Sequence, residues 1–180
     1  MKNLLLGLLG GCALALGTPL PANAQARDGA RDFDFDLGVW KTHIVRRLHP
    51  FSASADTMEL NGTVTVRTIW DGRAQLEEIE ADGPKGHWEG MTVFLYDPQA
   101  RQWSMNFASS AVGKFSTPMI GRFAGGRGEL IGPDTLDGRA ILVRGVWSDF
   151  TPTTHQYQES YSADGGKTWE VEFTATKTKV

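Results

Sequence analysis

From Phe33 onward the chain alternates, with apolar side chains at every second position and turn residues roughly every 8–12 positions. A period of two sends successive side chains to opposite faces of an extended strand. Such a chain buries its apolar half only by stacking or rolling up a sheet. The last segment shows the pattern best: Trp169, Val171 and Phe173 share one face, and Glu170, Glu172 and Thr174 the other. In residues 63–70, Val64, Val66 and Trp70 alternate with Thr63, Thr65 and Arg67. In the first strand, Trp40, Thr42 and Ile44 oppose Lys41 and His43.

The remaining strands follow from punctuation. Asp71-Gly72 predicts a tight hairpin between residues 63–70 and 74–80. Asp82-Gly83-Pro84 turns into 88–96, and Asp97-Pro98 into 102–109. Residues 121–131 read as one glycine-rich strand with bulges or a sharp corner. Asp137-Gly138 leads into 140–147, and 154–161 with 169–176 makes the final hairpin. The expectation is all-β: a single antiparallel up-and-down barrel of about nine strands, closed because closure removes exposed edges. A flattened sandwich is the alternative, since no stretch holds a 3.6-residue period.

The start of the chain is of another kind. Lys2 precedes an apolar run over residues 4–16, Pro19 and Pro21 interrupt it, and Ala22-Asn23-Ala24 offers a small-x-small cleavage site. We therefore expect a signal peptide at 1–24, a flexible leader at 25–32 and a barrel domain at 33–180, in a periplasmic or secreted protein. The run is too short to span a bilayer core of ~30 Å, and no later segment resembles a membrane span. Leu9-Gly10-Gly11-Cys12 resembles a lipoprotein box, but the apolar run continues past it to a cleavage site, which argues against lipidation. Cleavage after Ala24 leaves no cysteine, hence no disulfide, thiolate nucleophile or cysteine metal site. The net charge of −3, with interspersed signs, argues against nucleic acid as a partner.

Phe33-Asp34-Phe35-Asp36-Leu37-Gly38-Val39-Trp40 resembles the opening of a group of exported bacterial barrels of unknown function, related to lipocalins and nitrobindins among the calycins. Gly38-x-Trp40 is the part shared with lipocalins. Leu76-Glu77-Glu78, Tyr96-Asp97-Pro98 with Trp103, and Ser162 to Trp169 fit the same group in order. Residues 114–133 fit least well. The resemblance implies a lipocalin-like fold and no activity. Ser162 to Trp169 also matches an Asp-box, but a single copy reads as a hairpin turn in which Asp164 accepts backbone N–H groups above Trp169.

Catalytic and metal motifs are absent. His43, His49, His87 and His155 are scattered without zinc spacing, and no nucleophile elbow, P-loop or dinucleotide fingerprint occurs. The nitrobindin relation raises His155 as a haem ligand, but no haem motif accompanies it, so an ordinary surface or rim histidine and no cofactor are expected. Among Glu77, Glu78 and Glu80, alternation puts Glu78 and Glu80 with Leu76, and Glu77 with Ile79. If Leu76 faces inward, Glu78 becomes a buried carboxylate needing Arg67 or Arg144 as its partner. The aromatic residues favour a barrel that holds one small, largely apolar ligand, with Trp40, Arg67, Glu78, Phe94, Met105, Trp147 and Tyr157 as candidate contacts. The alternatives are an enzyme with Glu78 as acid–base group, and a solid-core interaction protein.

Overall fold

The computed structural model describes residues 28–180. The expected signal peptide, with Cys12 and the proposed Ala22-Asn23-Ala24 cleavage site, lies outside the described residues. Ten antiparallel strands build a closed barrel: β1 (Gly38–Arg47), β2 (Thr57–Ile69), β3 (Ala74–Gly83), β4 (Gly86–Asp97), β5 (Gln102–Ser109), β6 (Met119–Ala124), β7 (Arg127–Leu136), β8 (Arg139–Ser148), β9 (Thr154–Ser162) and β10 (Glu170–Lys179). Each strand pairs with its sequence neighbours, and β1 closes on β10 with Trp40 opposite Lys179 and Arg46 opposite Phe173. The architecture is the expected meander, with ten strands in place of about nine.

The extra strand comes from Gly125 and Gly126. Both take positive φ, 59° and 76°, the conformation a two-residue hairpin needs and other residues resist. The segment 121–131 is therefore two strands, β6 and β7, joined by that turn. Asp71-Gly72 and Asp137-Gly138 also sit at positive φ and close hairpins as expected. A second departure lies in β10, where a bulge between Val171 and Phe173 breaks the alternation. Val171 is 44% exposed, whereas Phe173 packs against the core, so the two do not share a face. Trp169 packs apart from both, its ring under the Arg144 guanidinium at 4.3 Å.

The two ends of the barrel are built differently. The chain from Asp28 to Leu37, with a 3-10 turn at Asp34–Asp36, fills one mouth. Phe33 is fully buried there, its ring 4.7–5.1 Å from those of Phe94, Trp103, Phe123 and Trp147. Residues 28–32, expected to be a loose leader, are docked: Trp103 Nε1 donates to Gly29 O at 2.8 Å, and the Tyr96 hydroxyl donates to Asp28 O. The connections at this end are short, at 70–73, 98–101, 125–126 and 149–153. Those at the other end include the longer 48–56, 110–118 and 163–169. The ladder between β5 and β6 covers only Trp103 to Met105, and the 110–118 connection returns beside β5, with Phe115 bridged to Ala108 and Ser116 N–H donating to Phe107 O at 2.8 Å.

Candidate functional site

Both ends carry buried charge. At the sealed end Asp36 is 0% exposed, 3.0 Å by both oxygens from Lys177 Nζ and 3.0 Å from His155 Nε2. Lys177 also donates to Glu77, whose other oxygen accepts from Thr92 Oγ1 at 2.9 Å. Strand alternation brings these groups inward. Thr92 faces Glu77 across β3 and β4, and Lys177 faces His155 across β9 and β10. Burial works to raise the Asp36 pKa, but Lys177 and His155 outweigh it and hold the carboxyl below its usual range. Burial likewise works to lower Lys177, and Asp36 with Glu77 carries it above its usual value. Trp40 Nε1 donates to the Asp36 carbonyl at 2.7 Å, which fixes the turn. The cluster ties the N-terminal plug to the barrel wall.

The open end is organised around β9 and β10. Tyr157, Glu159 and Tyr161 alternate inward, and the Tyr157 hydroxyl donates to Glu159 Oε2 at 3.1 Å. Gly145 makes room for this: a Cβ there would stand 2.9 Å from the Tyr157 ring. Burial raises the Glu159 pKa, opposed by hydrogen bonds from Tyr157 and Tyr161 and by the nearby Arg46 charge. Burial and the adjacent Glu159 hold both phenols above their ordinary value.

Glu172, in the β10 bulge, is 3% exposed, and among the described residues neither of its carboxyl oxygens has an N–H or O–H donor. The polar group in reach is the Glu170 carboxyl, so a bond between them requires a proton on one. Burial first, and Glu170 second, push Glu172 up to about 7. Arg47 pairs with Glu170 at 2.9 Å and donates to Ser52 O and Ser54 O, both at 2.8 Å, which holds the 48–56 loop over the mouth. Phe51 in that loop lies 6.5 Å from the Tyr161 ring. Met58, Trp88, Phe107, Leu136, Tyr161 and Phe173 pack on the core and remain partly exposed.

The residues expected to meet a ligand divide into three groups. Phe94, Met105, Trp147 and Tyr157 come together inside the barrel, with Trp147 4.8 Å from Tyr157 and 5.9 Å from Phe94. Trp40 is also buried, but in a smaller cluster with Val64 and Val66, its ring 4.6 Å from His155. Arg67 and Glu78 do not line the interior. They are 56% and 57% exposed on the outer wall and face each other at 3.8 Å. Leu76 shares their outward side, so the internal carboxylate is Glu77. That placement leaves Glu78 no enclosed site in which to act as an acid–base group. His155 is enclosed by Trp40, Phe35 and Asp36. Sequence reasoning passed over Glu159 and Glu172. The inward parity of Glu159 with Tyr157 was available, but the bulge that turns Glu172 was not.

Ser162 to Trp169 is the turn the sequence described. Asp164 accepts from the backbone of Lys167 and Thr168 at 3.0 and 2.9 Å and from Thr168 Oγ1 at 2.7 Å. Trp169 Nε1 donates to Gly166 O at 3.1 Å. Among the described residues no group of histidines and acids is placed to hold a metal ion, and no helix is long and apolar enough to cross a membrane.

No family model matches the chain, and no curated protein does. Solved structures are similar to it. The S-type phycobiliprotein lyase CPES from Guillardia theta is 13% identical, covers 83% of this chain and 91% of its own, and superposes with a TM-score of 0.56. A redesigned β-barrel, mFAP1, solved with DFHBI bound, is 12% identical over 84% of this chain and 99% of its own, with a TM-score of 0.45. At such identity the likeness to the lyase is one of fold: a closed antiparallel barrel of lipocalin-like type.

Proposed function

We propose that this chain is an exported lipocalin-like barrel, of the bacterial kind its Phe33–Trp40 opening resembles, and that it holds a small, largely apolar molecule at its open end. The observation that carries this reading is the asymmetry of the barrel. The chain's own residues 28–37 fill one mouth, while among the described residues only connections between strands reach the other, where Trp88, Phe107, Tyr161 and Phe173 pack on the core and, like Phe35 and Phe123 at the filled end, keep part of their surface accessible. Rigid walls with longer loops at one end are the usual setting for a binding site in such barrels. Burial of a ligand's apolar surface there contributes ~25 cal/mol per Å2.

Nile red, a neutral apolar dye, tests the proposal. We expect one saturable site on the intact protein, weakened severalfold by Phe173→Ser inside the mouth and unchanged by Val171→Ser outside it. Circular dichroism establishes that both variants keep the barrel. Absence of saturable binding, or equal loss in both variants, overturns the proposal.

A further inference from the structure

The open end holds more carboxyl groups than it neutralises. Arg47 pairs with Glu170 through Nη1 and donates to two loop carbonyls through Nη2, its buried Nε making no hydrogen bond among the described residues and no ion pair with Glu172. Glu159 takes its hydrogen bonds from neutral phenols. Arg46 is close enough to act on Glu159 and Tyr161 through space, but makes no direct ion pair with Glu159 among the described residues. Asp134 on β7 adds further negative charge near Glu159. Glu172, enclosed and without a donor, is influenced by Glu170, Arg47 and Glu159, so its carboxyl belongs to the same group.

A buried carboxyl without a partner costs free energy, and it lowers that cost by keeping its proton. At the sealed end the same chain meets each buried acid with a cation. Nothing in the fold requires Glu172 to be acidic, because a bulged strand accepts many side chains at that position. Arg46, Arg47 and Arg139 lie at this end, but none is in ion-pair contact with Glu159 or Glu172, which stand near aromatic rings that also attract cations.

We propose that the ligand carries a protonated amine on an apolar or aromatic body, and that Glu159 and Glu172 receive the amine beside Tyr157, Tyr161 and Phe173. This rests on the small-molecule function proposed above and specifies its ligand class. Glu172 gives up its proton to solvent as the ammonium arrives, so binding is linked to proton release. An anionic ligand would meet the carboxyls of Glu159, Glu170 and Glu172, with Arg46, and Arg139 over the Phe51 ring, as the cations left to receive it. A neutral ligand would leave Glu172 protonated.

Three indoles of similar shape separate these cases: tryptamine (ammonium), tryptophol (alcohol) and indole-3-propionate (carboxylate). Calorimetric titration of the intact protein, in buffers of different ionisation heat, measures affinity and protons released together. We expect tryptamine to bind about tenfold more tightly than tryptophol at about pH 8, with the ratio narrowing at about pH 5.5. Proton release should accompany tryptamine alone, and should be larger at about pH 6.5 than at about pH 8, where Glu172 is already mostly ionised. Glu172→Gln should abolish that release and close most of the gap between amine and alcohol. Glu159→Gln should reduce the gap as a second, independent variant, with thermal unfolding confirming that both fold. Equal affinities for tryptamine and tryptophol, with Nile red still bound, overturn the amine proposal and leave the small-molecule function standing. Preference for indole-3-propionate does the same. Failure of Nile red and all three indoles overturns both.

Discussion

The sealed and open ends of this barrel treat buried charge in opposite ways. At the sealed end Asp36, Glu77, Lys177 and His155 interlock, with opposite charges at contact distance. At the open end, among the described residues, Glu159 and Glu172 have no cation in contact and Glu172 has no hydrogen-bond donor. The first arrangement completes itself with residues of its own chain. The second is complete only with a proton or with something brought from outside. Their responses to acid follow. Asp36 is held below its ordinary 3.8, so its contribution is present above that value and is lost as the pH falls through its depressed folded value. Glu172 is raised from 4.5 to about 7, so the folded chain keeps a proton the unfolded chain has released. Stability from that site therefore falls as the pH rises from about 4.5 to about 7, and levels off above it.

The largest break in this contrast should come from Lys177→Met. It leaves two buried carboxylates without their cation, and removal of one partner from such a group costs about 3–5 kcal/mol. Urea unfolding at neutral pH measures the loss. A change below about 1 kcal/mol would mean that the cluster does not lock the plug. Gly145→Ala tests the open end by shape alone. The added Cβ would stand 2.9 Å from both the ring and the hydroxyl of Tyr157, so the phenol itself must move. Such overpacking costs about 1–3 kcal/mol and should displace Tyr157 from Glu159, shifting the tyrosine absorption.

Glu172→Gln should have a smaller effect whose sign depends on pH. At about pH 8 it removes a buried charge and raises Tm; at about pH 5, where Glu172 is already protonated, Tm should hardly move. A uniform shift at both would show that Glu172 does not titrate in the folded barrel. Asp36→Asn should do the reverse, lowering Tm at neutral pH by removing the anion that Lys177 and His155 surround.

The sequence conveyed the sheet well and its inner face poorly. Paired turn residues marked hairpins because positive φ is a local demand, met at Asp137 (49°) and Gly138 (79°). Gly125-Gly126 carried the same signal, but in a glycine-rich run a turn and a barrel corner look alike. The bulge at Val171–Phe173 leaves no local mark, so perfect alternation through Trp169, Val171 and Phe173 pointed to a shared face that the strand does not have. The sealed-end cluster was hidden for another reason. Asp36 and Lys177 meet across almost the whole described chain, and neither residue's neighbours announce the pairing.

Glu77 and Glu78 show the limit most sharply, and they support the smallest predicted effect. Alternation separates them onto two faces but does not say which face is inside. Leu76 is a misleading guide because it sits half-buried on the outer wall, while the inner face of β3 carries Gln75 and Glu77. Glu78 stands in water opposite Arg67, where an exposed ion pair at 3.8 Å contributes between ~0 and 1 kcal/mol. Glu78→Gln should therefore change stability by less than about 0.5 kcal/mol and leave Nile red binding intact. Glu77→Gln, one residue away, removes half of the negative charge around Lys177 and should be felt as severe destabilisation at neutral pH. A severe effect from Glu78→Gln with a slight one from Glu77→Gln would mean that β3 is paired one residue out of register, since a slip of one position exchanges its faces.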